Sequence, residues 1–595
     1  MGEPGTLKHR RPASVGEKKE SDETYNNDKP ISTTTTMDSK IVVVAPKKKK
    51  YTTTTTTKLE DDDDDKLQKA GKAAAANQPS DKNGGYPEPT EDELSFQYHV
   101  FTLLFLNGNL IHQRRYDGRD LFITGMQTLL YNLTHKRFPF CGQVIWLLSL
   151  AWCLYGTLES SPHNANHHNI CGLVSLVLLP SQFQRCRMIW NRQQEEKKQR
   201  AAQQQEEEDD DDDDGEVTTD TEPVSIMKES GTLEDLNTVR LCIIGMYVMA
   251  GFHKLNTAFF DPNVSCAYDK IWRYFEVFGG YANDHEDMEG AVAQMPFFLR
   301  TLPFQVVIAE FVPPMLLCFP KLQRLALFVL IGLHTILLPV GFADFGSIAQ
   351  SFLLLFTSPH AMVTLSGIPR HFWGDAAVVF VMFEFLVQYM RFYDERSEGE
   401  PPFVQAEVGM VFFCFAFVWG SIYRTPNVPG PKVTYPKTWF GKAVILFFAF
   451  FTWNPYFGLR STGVLTMFSN LQTEGPTSNH LLLGSNPLKL FSYQDDWVYI
   501  KEIDERLQFK RYDGEILPRV QFDMFLHRMK EEWAEEGEEC HDMYAWVEYK
   551  NETYESNDVF YDPAFAEFLE PRPYWQRKYM LFRAVEIEEP KTCTW

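Results

Sequence analysis

Cysteine is present in this chain but unorganised. Among 595 residues its ten copies form no Cys-x-x-Cys pair and no zinc-ligand spacing, which argues against zinc ribbons and dithiol motifs. Cys153, Cys242, Cys318 and Cys414 lie inside apolar runs and read as small core residues. Positive charge is also short: 57 Lys and Arg face 80 Asp and Glu, a formal net charge of −23. A nucleic-acid partner wants a basic face, so none is expected. The acidic excess sits largely in tails and loops and names no partner of its own. No cleavable signal peptide opens the chain, so the first membrane helix is expected to act as its own targeting signal.

Charge of either sign is missing from 138–158, 325–343, 345–369, 408–423 and 443–459. A bilayer crossing takes about 20 mostly apolar residues, so several of these runs read as transmembrane helices. Soluble buried helices are the competing explanation. Five long uncharged runs rich in Phe, Leu and Trp weigh against it.

The expected fold is an all-α polytopic membrane bundle of about nine helices, followed by a small lumenal or extracellular α+β domain. Residues 1–93 hold threonine runs, Lys47–Lys50 and Asp61–Asp65; such composition buries too little to offset chain entropy, and a disordered tail is expected. The stretch 94–139 contains two short, interrupted apolar segments, read as interfacial or poorly formed first helices. The bundle is assigned to 140–480, with clear helices near 140–159, 170–190, 238–256, 297–319, 324–341, 344–358, 376–393, 408–423 and 441–459. A disordered acidic insertion is expected at 192–222, centred on Glu206–Asp214. In 481–595, Trp497–Ile503 and Met543–Tyr549 alternate with period two and Arg519–Glu536 has helical amphipathicity.

Basic residues set the orientation. His135, Lys136, Arg137, Arg185, Arg187, Arg192, Lys321, Arg324, Arg370, Arg424 and Lys432 all fall on one side of an alternating bundle. That side is taken as the cytosol, with the N-terminus there and the C-terminal domain in the lumen of the endoplasmic reticulum or another endomembrane. Two glycosylation sequons, at Asn263 and Asn551, fall on the lumenal side; a third, at Asn132, does not.

Helical rise then gives depth. Lys254 lies 14 residues beyond Arg240, about 21 Å along its helix. Glu310 and His334 each lie ten residues past an arginine, about 15 Å in. An ionisable group at such depth must snorkel, pair or lose its charge, and is a functional candidate for that reason. A snorkelling Lys254, a wholly structural Glu310 pair and a carbonyl-capping His334 are the plainer alternatives. His163, His167 and His168 cluster but lack a neighbouring carboxylate or cysteine, so no metal site is expected.

Several segments resemble one family in the same order. Ala250-Gly251-x-x-Lys254-Leu255-Asn256 is similar to the AG-x-x-KL-D/N segment of the vitamin K-dependent gamma-carboxylases and their relatives with the horizontally transferred transmembrane domain. Asn166-His167 before Gly172-Leu173 resembles the family's Asn-His segment. Glu310, His334 and the following Gly341-Phe-x-x-Phe-Gly346 resemble its intramembrane acid, histidine and glycine run. Met467–His480 looks like the close of the membrane domain in stand-alone members, with no chemistry of its own to offer. The resemblance implies a quinone cofactor, reduced vitamin K or a related hydroquinone, with Lys254 as base, His167, His334 and Glu310 in catalytic roles, and Asn166, His253 and Asn256 near the cofactor. It also implies membrane lipids and a lumenal glutamate-containing protein as partners. His253 stands where a second lysine is expected, and only about 110 residues follow the bundle, which points to a stand-alone member. Two other readings stay open: a non-catalytic scaffold or folding factor, and a proton-coupled transporter with Glu310 and His334 as relay. Matching broken helices would favour transport; only Pro313-Pro314 is present.

Overall fold

In the computed structural model the described residues run from 88 to 593, omitting 114–117, 164–165, 210–224, 272–291, 293–294, 338–342, 365–428, 467, 476–477, 485–488, 508–513, 537–540 and 587–592. They are mostly helical, with one small antiparallel sheet near the C-terminal end.

The first two helices correct the expectation for 94–139. Helix α1 (Glu91–Gln113) and α2 (Gly118–Thr134) are regular. α1 is an interior element, burying Tyr98, Phe101, Phe105 and Leu106. Its polar residues escaped the apolar-run criterion because their partners are internal: Gln97 donates to the Leu354 and Thr357 carbonyls, and Asn109 to the Phe105 carbonyl. Asn132 is likewise buried, donating to the Thr128 carbonyl, so its sequon is shielded.

Helix α3 (Pro139–Glu159) starts on a proline, which needs no hydrogen-bond acceptor in the first turn. It packs against α4 (Asn166–Asp209). Because α4 continues to Asp209, residues 192–209 are helix; the loop expected from 192 onward does not begin there. Gln, Glu, Lys and Arg dominate this extension and are good helix formers. Helix α5 (Thr232–His253) begins after Gly231, whose φ of 78° stops the preceding turn, and carries Glu234 and Asp235 at its positive end.

α6 (Leu302–Leu316) crosses α5, and α7 (Gln323–Leu337) and α8 (Ala343–Leu354) follow. α9 (Trp439–Thr452) is capped by the Thr438 hydroxyl, which accepts from the Gly441 amide at 3.1 Å, and packs on α5. Among the described residues two helices, α3 and α5, are long and apolar enough to cross a membrane; α6, α7 and α9 are apolar but shorter. The helices expected at 376–393 and 408–423 lie outside the described residues. Leu148, Phe304, Ile308, Leu325, Ile336 and Leu446 are exposed on these helices.

The C-terminal part is a five-stranded antiparallel sheet ordered β4-β3-β1-β2-β5. Its strands are β1 (Trp497–Ile503), β2 (Glu515–Pro518), β3 (Ala545–Tyr549), β4 (Glu552–Ser556) and β5 (Val585–Glu586). Alternation puts Val498 and Ile500 of β1 and Ala545 and Val547 of β3 into a core with Phe522 and Leu526 of helix α10 (Arg519–Glu536). Asp523 is fully buried there, at 2.6 Å from Arg519 and also paired with Arg572.

The sheet region is fastened to the bundle by hydrogen bonds. Ser461 and Thr462 donate their amides to the Leu581 carbonyl, and buried Arg460 donates to the carbonyls of Thr462, Tyr579 and Pro162. A disulfide joins Cys266 to Cys593, 327 residues apart.

Candidate functional site

Lys254 is the C-cap of α5. Its ammonium nitrogen lies 2.7 Å from Glu310 Oε2 on α6, and both side chains are largely withdrawn from the surface. Gly251 makes this meeting possible. A Cβ there would stand 3.3 Å from the Phe311 nitrogen and 3.4 Å from the Glu310 carbonyl carbon, so a side chain would press α6 away by a few tenths of an ångström one turn before the lysine. The Ala-Gly-x-x-Lys spacing thus has a packing reason: the glycine admits the helix that delivers the acid.

Tyr247, two turns before Lys254 on the same face, places its hydroxyl 2.6 Å from His334 Nε2 on α7. Both residues are buried. The sequence offered a signal for Tyr247 in its seven-residue spacing from Lys254, but an aromatic in an apolar run reads as core. Glu310 and His334 therefore take separate partners, Lys254 and Tyr247, and make no direct hydrogen bond that would join them in a relay.

These four side chains line one apolar cavity of about 430 Å³, together with Asn166, Lys270 and Phe345. That volume is in the range of small-molecule sites, which are mainly apolar with a few placed polar groups. Lys270 is paired with Asp269 and stands over the Phe468 ring at 5.1 Å. Asn166 reaches the cavity through its loop contact: its Oδ1 accepts from the Leu465 amide at 2.5 Å. Leu465 and Phe468 have φ of 66° and 53°, unusual for such side chains, so this wall is held in a costly backbone form. His167 is buried outside the lining, with its ring 6.2 Å from Phe345, which lies 5.3 Å from His334.

Two residues assigned to the cofactor from sequence turn elsewhere. One position before Lys254 on a helix rotates by about 100°, and His253 faces away, its Nδ1 2.8 Å from the Tyr456 hydroxyl. Asn256 is an N-cap: its Oδ1 accepts from the Phe259 amide at 2.9 Å, while its amide donates to the His253 and Ser469 carbonyls. Both are scaffolding for the lysine's neighbourhood rather than walls of the cavity.

The Met467–His480 run acquires a role from its contacts. Asn470 accepts from the Cys266 amide and donates to the Val264 carbonyl, at 2.8 and 2.7 Å. The Asn479 carbonyl accepts from Thr257, and the Leu481 amide donates to Leu255. His480 Nε2 lies 3.1 Å from the Phe252 carbonyl. The described part of the run, through Asn470, Asn479 and His480, is a clamp on 252–266 and so fixes Lys254. Among the described residues no group of three His, Cys, Asp or Glu side chains is arranged to hold a metal ion.

No family model, curated protein or solved structure matches the chain.

Proposed function

We propose that the chain is an integral membrane enzyme of the gamma-carboxylase type, in which Lys254 and Glu310 together take a proton from a reduced quinone so that glutamate in a lumenal protein can be carboxylated. The single observation that carries this reading is the 2.7 Å Lys254–Glu310 pair on the wall of an apolar cavity. The ordered resemblance described above adds the reaction class. Exposed apolar side chains on α3, α6, α7 and α9 support a lipid environment, and a formed disulfide supports an oxidising compartment for Cys266 and Cys593. In this reading both are lumenal, the basic loops and N-terminus are cytosolic, and the membrane is that of the endoplasmic reticulum or a related organelle.

The residues present fit a quinone. A largely hydrocarbon wall suits the ring and the start of an isoprenoid tail, and it carries two polar pairs, Lys254–Glu310 and Tyr247–His334. A hydroquinone supplies, when bound, an acidic O–H and an oxygen-reactive ring from which the strong base needed at the glutamate γ-carbon is made. The chain's part is proton placement. Whether the pair holds its shared proton on nitrogen or on oxygen, accepting one more leaves the same state: an ammonium at Lys254 and a neutral carboxyl at Glu310. The ammonium then faces the negative charge left by deprotonation, in a low-dielectric site where such an interaction is strong. Tyr247 holds the His334 ring in a fixed orientation, and His167 packs behind Phe345 as a positioning residue.

The testing experiment is fixation of labelled carbon dioxide into a glutamate-containing peptide by the purified full chain in detergent. Fixation that requires both reduced vitamin K and oxygen supports the reading. Absence of fixation under those conditions, or fixation independent of the hydroquinone, overturns it.

A further inference from the structure

Helix α9 is too short for the bilayer it is read to cross. Its 14 residues rise about 21 Å, against about 30 Å of hydrocarbon. It runs alongside α5 in the same direction. Asn237 meets Thr434 just before α9 begins, Gly245 faces Phe448 midway, and the Phe252 ring lies 5.6 Å from Trp453 at its end. The start of α9 carries the marks of a membrane boundary: Tyr435 and Trp439 are 62% and 79% exposed, beside Lys437 and Lys442. The missing length therefore falls at the other end, beside Lys254.

Beyond that end the surface stays apolar. The turn Asn454–Phe457 continues the aromatic face of α9, with the Phe457 ring 5.4 Å from Phe450 and 6.4 Å from Trp453. Phe491 donates its amide to the Phe457 carbonyl at 2.9 Å, and a Cβ at Gly458 would overlap the Phe491 carbonyl oxygen, so the 489–491 segment sits directly on this turn. The rings run on from there. Phe491 stacks on Tyr493 at 6.3 Å, and Tyr493 meets Trp575 edge-on at 6.4 Å. Leu481 donates its amide to the carbonyl of Leu255, next to Lys254, at 2.8 Å, which fastens Leu481 and Leu482 at the same end. Leu481, Leu482, Leu490, Phe491, Tyr574 and Trp575 are all exposed. Single exposed apolar residues are ordinary, but six on segments fastened to the end of one helix pair call for a partner.

We propose that these six residues dip into the lipid leaflet on the Lys254 side, so that the C-terminal region is seated on the membrane surface as well as on the bundle. Tyrosine and tryptophan suit that boundary, offering an apolar ring to acyl chains and a polar atom to the headgroup layer. The patch supplies the roughly 9 Å that α9 lacks. Lipid is the partner because the patch continues, through Phe450 and Phe457, the α9 face that carries exposed Leu446 and Phe447. This seating needs the membrane placement proposed above and is independent of the carboxylase chemistry.

The test uses the full chain in phosphatidylcholine nanodiscs that contain a phospholipid with a diazirine on its acyl chain, photolysed and mapped by peptide mass spectrometry. Labelling is expected on the peptides holding Leu481–Leu482, Leu490–Phe491 and Tyr574–Trp575, and on 446–450 of α9. Trp546 on β3 and Tyr561, 37% and 54% exposed but outside the patch, should label at least about fivefold less. Leu482→Asp with Trp575→Asp, at exposed positions that leave the core intact, should cut labelling at Leu490–Phe491 at least about threefold while α9 keeps its own. Label on α9 with only the Tyr561 background on the patch overturns the proposal and leaves the membrane placement standing. Label on neither overturns both. Patch labelling unmoved by the double substitution overturns the assignment to these residues.

Discussion

Lys254 and Glu310 meet at 2.7 Å across the α5–α6 crossing, at the place where Gly251 brings the two helices together. Each is the other's charge partner in a setting with little water. Breaking one side of such a pair strands the remaining charge, which costs about 3–5 kcal/mol, whereas replacing both sides with apolar groups is far milder. Glu310→Ala should therefore lower the unfolding stability in detergent by that amount, and Lys254→Met with Glu310→Leu should recover most of it. A single variant as stable as wild type would show that the pair is not formed.

Gly251→Ala tests the same crossing by geometry. The added methyl meets α6 backbone atoms at 3.3–3.4 Å, which a helix can relieve only by moving. Overpacking of this kind costs about 1–3 kcal/mol. Alanine's helix propensity offsets about 0.5–1 kcal/mol of that, so the expected result is a small net change in stability together with a larger proportional loss of turnover, because the displaced helix carries Glu310. Unchanged turnover would separate the crossing from the chemistry.

The Cys266–Cys593 disulfide closes a loop of more than three hundred residues and ties the C-terminal end to the cavity wall, which includes Cys266. Long loops gain most from such a link, with about 2–4 kcal/mol typical. Peptide mapping of the non-reduced protein should recover the two cysteines in one fragment pair. Cys593→Ser should lower stability by a comparable amount. Recovery of both as free thiols from protein made in an oxidising compartment would contradict the pairing.

His163 sits at the junction of bundle and C-terminal region, with Arg528 Nη1 3.2 Å from its Nε2. Desolvation first, then the charges of Arg528, Arg460 and Lys578, push it down to about 4 against a smaller opposing effect of Glu532. A histidine depressed in the folded state contributes stability above its unfolded value near 6.5, and that contribution is lost as the pH falls through about 4. Hydrogen-exchange protection in 577–582, corrected for the intrinsic pH dependence of exchange, should therefore fall between pH 6 and pH 4, and His163→Gln should remove much of that dependence. A profile identical in wild type and variant would show that His163 does not report on the junction.

Much of the site was legible because helices convert spacing into position. Lys254, Glu310 and His334 were placed by counting residues from basic helix ends, and the structure brings all three to one cavity. Tyr247 needed only the two-turn rule, but nothing marks one tyrosine among the chain's 25. His253 and Asn256, expected near the cofactor, do not line the cavity, because adjacency in sequence is not adjacency on a helix: one faces Tyr456 and the other caps the next turn. The clamp by Ser469, Asn470 and His480 and the Asn166–Leu465 contact depend on pairings across more than two hundred residues, which no local pattern reveals. Helix α1 was underrated since its Gln97 and Asn109 interrupt the apolar run while being satisfied internally.

The Lys254–Glu310 pair is proposed to remove a proton from a bound hydroquinone. Its most direct test is oxidation of reduced vitamin K by the purified chain under oxygen, wild type against Lys254→Ala. Turnover is expected in wild type and a loss of at least about a hundredfold in the variant, the usual scale for a lost acid–base group. Equal turnover in the two proteins would contradict it.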